Sequence, residues 1–216
     1  MAINANENLK NTHMAFLGTS GSGKTWKVKK MLRESPNASA LFFDPVAVYG
    51  DVLEYVDDFK DLVKKVTKAI KNNDVFRYAY RGRPDEYNNF CELVWLSADG
   101  NKDLIFGNEE AGGYLGNNAK TSDRWYDIIT IGRKFGVMMV TVAQRPQSIN
   151  KTVYDESPYA FIGHCKGKAR DYVEREFRVD IDLIGFETYN YYLMDNSGVK
   201  LMDKDDKPIK VVKKQK

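Results

Sequence analysis

Two cysteines and two histidines are all that 216 residues supply of the strongest metal-binding side chains. Cys91 and Cys165 lack metal-ligand spacing, and His13 and His164 fall in no recognisable cluster, so neither a zinc cage nor a disulfide framework is expected. The thiols read as buried or incidental in a reducing compartment. No run approaches the roughly 18 apolar residues of a membrane-spanning helix. The opening Met-Ala-Ile-Asn-Ala-Asn-Glu has neither the basic nor the apolar region of a secretory signal. Charge is balanced to a net +3, which permits contact with nucleic acid without arguing for it. No internal repeat and no flexible linker stand out. With 43% hydrophobic and 29% charged residues, the chain has the composition of one globular domain.

Against this plain background one segment is rich in glycine. Residues Gly18, Thr19, Ser20, Gly21, Ser22, Gly23, Lys24 and Thr25 form a complete G-x-x-x-x-G-K-[ST] phosphate-binding loop. It follows an apolar run, His13 to Leu17, and precedes a helical segment. The backbone N–H groups of such a loop converge on phosphate oxygens, and the helix points its positive end at them. Gly18, Gly21 and Gly23 let the chain curl without a Cβ in the way. Lys24 is placed to reach the β- and γ-phosphates of ATP, and the Thr25 hydroxyl to bind Mg²⁺. A chance match to the pattern is expected in roughly one such chain in a hundred.

Apolar periodicity along the chain alternates between strand and helix. Strands are expected at 13–17, 40–43, 75–80, 104–106, 137–142, 159–164, 189–195 and 198–202. Helices are expected at 24–34, 59–71, from Pro84 onward, at 122–135 and at 168–177. The 137–142 run is the most apolar and is expected at the sheet's centre. The alternation predicts an α/β fold with a mostly parallel central sheet flanked by helices. Residues 1–203 form the domain in this reading and 204–216 a basic tail with six lysines, equally readable as a solvated end or as a phosphate-contacting arm. Lys27, Lys29, Lys30 and Arg33 read as a solvent face.

Two further elements lie at expected strand ends. After Leu104-Ile105-Phe106 come Gly107-Asn108-Glu109-Glu110. Hydrolysis on a phosphate loop needs one carboxylate near Mg²⁺ and another to polarise water. Glu109 is assigned to the metal-water shell and Glu110 to water activation. The register is open by one residue: with Asn108 on the metal side, Glu109 becomes the base. The second element is Val140-Thr141-Val142-Ala143-Gln144-Arg145-Pro146, where Gln144 is a candidate γ-phosphate sensor. Arg124 and Arg133 lie in the expected 122–135 helix that precedes this strand.

The loop at 18–25, Phe43-Asp44-Pro45, the acidic pair at 109–110 and Gly132-Arg133-Lys134-Phe135-Gly136 running into Val-Thr-Val-Ala-Gln-Arg-Pro together resemble the FtsK/HerA superfamily of DNA-pumping ATPases. The compact size looks most like the genome-packaging ATPases of tailless viruses with an internal membrane. The resemblance implies a RecA-like P-loop NTPase fold, ATP and Mg²⁺ as cofactors, and a hexameric ring threaded by double-stranded DNA, in which Arg124 or Arg133 is the candidate arginine completing a neighbouring subunit's site. It further implies docking to capsid or membrane-vertex proteins and a location in the host cytoplasm or on the virion. Glu or Asn replaces the customary Asp before the catalytic Glu. A small-molecule kinase and a non-translocating ATP switch are the rival readings.

Overall fold

The computed structural model describes residues 2–115, 123–185 and 187–209. Its backbone is a single nine-stranded sheet in the order β3-β4-β2-β5-β6-β1-β7-β8-β9. The strands are β1 (Met14–Leu17), β2 (Ser39–Phe43), β3 (Glu54–Val56), β4 (Arg77–Tyr80), β5 (Leu104–Asn108), β6 (Val137–Ala143), β7 (Tyr159–Ile162), β8 (Tyr191–Asp195) and β9 (Gly198–Met202). From β3 to β7 every pairing is parallel, and β8 and β9 close the sheet as an antiparallel hairpin. The apolar 137–143 run is indeed the middle strand.

Six α-helices accompany the sheet among the described residues: α1 (Lys24–Glu34), α2 (Phe59–Asn72), α3 (Tyr87–Ser97), α4 (Asp123–Ile131), the single turn α5 (Thr152–Asp155) and α6 (Lys168–Phe177). Side chains alternate across each strand and build two cores. Phe16, Phe42, Ile105, Val140 and Phe161 pack against Val28 and Leu32 of α1. Leu17, Phe43, Phe106 and Met139 meet Leu62 and Val66 of α2, Phe90 and Val94 of α3, and Trp125, Ile128 and Ile129 of α4. Strands buried on both faces explain why their sequences read as apolar runs.

Several boundaries differ from expectation. β3 is new; with three residues and an exposed Glu54 it carries too little apolar pattern to announce itself. Pro84 opens a 3-10 turn, and α3 begins only at Tyr87. The expected 122–135 helix becomes α4 followed by a 3-10 turn over Gly132–Phe135, its Ser122 end lying outside the described residues. On α2 the third inward residue is Ala69, whereas Ile70 is exposed.

The basic residues of α1 are not a free solvent face. Asp206 accepts from Lys27, Lys30 and the Tyr191 hydroxyl (2.6 Å), and Asp51 pairs with Lys29 and Arg33, each at 2.6 Å. Residues 203–209 turn back on β9 through Asp203 N–H to the Lys207 carbonyl (2.9 Å) and Ile209 N–H to the Leu201 carbonyl (2.8 Å). The expected tail therefore starts as an ordered turn, and residues 210–216 lie outside the described residues.

Gly107 in β5 is fixed by packing. A Cβ there would fall 2.2 Å from the Phe42 ring, which is itself fully buried. Gly107→Ala is expected to lower stability by about 1–3 kcal/mol, the cost of overpacking a core. Urea unfolding checks this against Gly113→Ala, where an added Cβ meets nothing within 4 Å and a change within about 0.5 kcal/mol is expected.

Candidate active site

β1 ends at Leu17, and the chain there must turn sharply to start α1 over the same sheet edge. Gly18 makes that turn at φ 147, where a Cβ would lie 2.5 Å from Ser22 Oγ and 3.2 Å from the His164 carbonyl oxygen. Gly23 enters α1 in the left-handed region at φ 91. The end of β7 buttresses the loop. The Thr19 N–H and hydroxyl both donate to the His164 carbonyl, at 2.8 and 3.0 Å. Lys24 is buried and its Nζ donates to the Gly18 and Thr19 carbonyls, at 2.7 and 2.9 Å, so it stands at the loop's mouth. Burial lowers its pKa, while Glu109 and Glu110 oppose that shift.

β6 lies beside β1 and β5 beside β6, and all three end at the same edge. Their register pairs Asn108 with Thr141, bringing the acidic pair and Gln144 toward the loop. Glu109, Glu110 and Gln144 line one cavity of about 420 Å³ together with residues 20–26, Val46 and Val48. Glu110 sits at φ 52, ψ 45, a left-handed conformation that costs a non-glycine residue about 1–3 kcal/mol. There its carboxylate accepts from the Gln144 side-chain amide. The strain turns Glu110 off the strand direction and onto the neighbouring strand's Gln.

Asn108 does not share this cavity. Its side chain is fully buried on the opposite face, accepting from the Tyr87 hydroxyl at 2.6 Å. Strand alternation thus puts Glu109, rather than Asn108, on the α1 side of the sheet.

Glu109 is 3% exposed and accepts from the Tyr49 hydroxyl at 2.5 Å. Its backbone carbonyl accepts from the Tyr114 hydroxyl at 2.7 Å. Burial pushes its pKa from 4.5 up to about 7; the Tyr49 bond works against this, and Asp44 and Glu110 reinforce it. Asp44 is also fully buried, accepting from the Val48 and Tyr49 N–H groups and the Tyr55 hydroxyl through one oxygen. Its other oxygen has no hydrogen-bond partner. Sequence reasoning did not single out Tyr49, Tyr55 or Tyr114, because a tyrosine in a loop carries no spacing signal. Asp44 stands out in the sequence only within Phe43-Asp44-Pro45.

The remaining candidates lie elsewhere. Arg124 pairs with Glu92 (2.7 Å) and Asp127 (2.9 Å), its guanidinium over the Trp95 ring. Arg133 donates to the Leu9 carbonyl at 2.7 Å near the starts of β5 and β6, at the edge opposite the phosphate loop. Neither lines the cavity of its own chain. His13 is structural, bonded to the Met139 N–H and the Ile129 carbonyl and held near pKa 4 by burial. Both cysteines are buried and outside any disulfide.

A carboxyl whose folded pKa exceeds its unfolded value binds its proton more tightly in the folded state. The stability it contributes is therefore complete below pH 4.5 and is lost as pH rises to about 7. That window corresponds to about 3 kcal/mol at full burial. Glu109→Gln is expected to flatten the fall in unfolding free energy across this window and to be the more stable protein at pH 8. Denaturant titrations at several pH values check it; an unchanged slope assigns the dependence to another group.

Residues 1–96 match the family described as helicase HerA, central domain. Protein P9 of Pseudoalteromonas phage PM2 is 29% identical over 157 residues, covering 72% of this chain and 69% of that protein. Among solved structures, the genome packaging NTPase B204 of Sulfolobus turreted icosahedral virus 2, in complex with ATP-gammaS, superposes with a TM-score of 0.72 at 14% identity. The match covers 92% of this chain and 98% of that one. VirB4 of Thermoanaerobacter pseudethanolicus gives a TM-score of 0.62 at 9% identity, covering 94% and 90%. The chain therefore shares the fold of these solved structures, and its first 96 residues are similar to the HerA central domain.

Proposed function

We propose that this chain is an ATPase that drives double-stranded DNA into a preformed viral capsid as a hexameric ring. The observation that carries the ATPase reading is the Glu110–Gln144 pair, which faces the same cavity as Lys24 and Thr25. The likeness to B204, a genome packaging NTPase, supports the packaging role, and the likeness to Protein P9 of phage PM2 supports a viral setting.

In this reading the loop N–H groups hold the phosphate chain, and Lys24 exchanges its two carbonyl partners for β- and γ-phosphate oxygens. Glu110 accepts the proton of the attacking water. Gln144 orients that water with its amide and is released when the γ-phosphate leaves. The pair's hydrogen bond gives the two side chains a common position from which to act. The donor set suits Mg²⁺: Thr25 and Glu109 offer oxygen only, and no cluster of three or more His, Cys, Asp or Glu exists among the described residues to form a closed cage. Thr25 would hold the ion directly and Glu109 through water, in keeping with an ion that retains waters and shares phosphates. The ion would neutralise charge developing on the phosphates. Acceptance of a phosphoryl group by water, rather than by a metabolite, is what separates this site from a kinase.

DNA contact is assigned to phosphates rather than bases, so binding weakens steeply with salt and shows little sequence preference. The lysine-rich 210–216 segment is one place for it.

Steady-state hydrolysis with and without duplex DNA tests the reading. Lys24→Ala is expected to abolish turnover. Glu110→Gln is expected to retain ATP binding and lose at least about a hundredfold in kcat. Duplex DNA is expected to accelerate the wild-type ring. A rate indifferent to DNA supports the ATP switch, and transfer of phosphate to a metabolite supports the kinase. Normal turnover in Glu110→Gln removes this carboxylate from the mechanism.

Neither Arg124 nor Arg133 lines its own chain's phosphate-loop cavity, and in this reading one of them completes a neighbour's site. Replacing the responsible arginine with Ala is expected to lower turnover steeply without changing nucleotide affinity of the isolated subunit. Mixing that variant with Lys24→Ala subunits is expected to restore some activity, since an intact loop then meets an intact arginine. Confirmed mixed rings with no recovery for either variant exclude both residues.

A further inference from the structure

A second cavity, of about 430 Å³, adjoins the phosphate-loop cavity and shares Ser22, Gly23 and Trp26 with it. We propose that it receives the base of the nucleotide, a planar purine, with Trp26 and Tyr189 as its aromatic walls; this rests on the ATP-site reading above. Direction is the first argument. Glu110 and Gln144 stand on the β5–β6 side of the loop and fix the γ-phosphate end there. The second cavity opens on the other side, toward β7 and β8, where Phe161 contributes to its lining. A phosphate chain running along the loop from γ to α delivers the sugar and base to that side.

The walls are the second argument. Trp26 is 54% exposed and Tyr189 52% exposed, unusual for aromatic side chains flanking one cavity. Tyr189 adopts φ 53, a conformation uncommon for a bulky residue. Its ring lies 4.0 Å from where a Cβ of Gly23 would be, so it overhangs the start of α1. Aromatic faces are the usual platform for a nucleobase.

The third argument is the turn that completes the cavity. Lys204 and Asp205 line it, and they are brought there because Asp206 is held by Lys27, Lys30 and Tyr191. Lys27 itself lines the cavity, 5.3 Å from the Trp26 ring centre. Lys204 and Asp205 put a donor and a carboxylate within the cavity for the edge of the ring. The C-terminal turn is thus a wall of the nucleotide site.

Direct binding measurements with ATP and with inorganic tripolyphosphate, which has the phosphates and no base, test the assignment. Trp26→Ala is expected to weaken ATP about tenfold or more while leaving tripolyphosphate within about twofold. Trp26→Phe, which keeps an aromatic face, is expected to stay within about threefold for both. Trp95 and Trp125 are buried, so ATP is expected to quench tryptophan emission in the wild type and not in Trp26→Phe. Trp26→Ala binding ATP as the wild type does, or losing both ligands equally, overturns the base subsite and leaves the phosphate site standing. A wild-type protein that binds neither ligand overturns the nucleotide reading, and this subsite with it.

Discussion

The ends of three adjacent parallel strands, β5, β6 and β1, are the constraint on which the site depends. Parallel register brings Asn108 level with Thr141 and Leu17 level with Ala143. The next residues of each strand therefore emerge at one edge: the acidic pair, Gln144 and the phosphate loop. A one-residue slip of β5 would turn Glu109 into the core on the far face and bring Asn108 to the loop side, because side chains alternate with period two. Gly107 against Phe42 helps to hold that register, since no other residue fits so close to the ring. Packing in the sheet interior thereby decides which carboxylate meets the loop.

The two acids are adjacent in sequence and opposite in environment. Glu109 is buried, bonded to Tyr49 and raised in pKa; Glu110 is half-exposed, turned by a left-handed backbone onto Gln144. Separating neighbouring carboxylates by environment is a general way to give them different tasks. Tyr49, Tyr55 and Tyr114 supply the hydroxyls that keep this acidic region satisfied, and no sequence pattern binds them to it.

The phosphate loop, the alternation of elements and the central place of 137–143 were legible because each rests on local chemistry: glycines where the chain must curl, apolar runs where strands are buried twice. The sequence leaves Asn108 and Glu109 in competition for the position nearest the loop; strand alternation separates them, with the bond to Tyr87 holding Asn108 on the other face. What stayed hidden depends on contacts between distant segments. In the sequence Trp26 stands on a lysine-rich helix and Asp206 in a charged terminus, and neither carries a spacing signal. Only the fold brings them to the same corner, 180 residues apart in sequence. β3 was missed because three residues are too few to establish a period.

The same C-terminal turn has a consequence for how copies of this chain can meet. An exposed edge strand invites another strand to add to the sheet. At β9 that place is already taken by the returning chain, through the bridge between Met202 and Pro208 and the Ile209 bond to Leu201. Pro208 has no N–H to offer a newcomer. At the opposite edge β3 offers only three residues. Both margins of the sheet are thus poor templates for strand addition, which steers self-association toward side-chain surfaces and away from open-ended fibres.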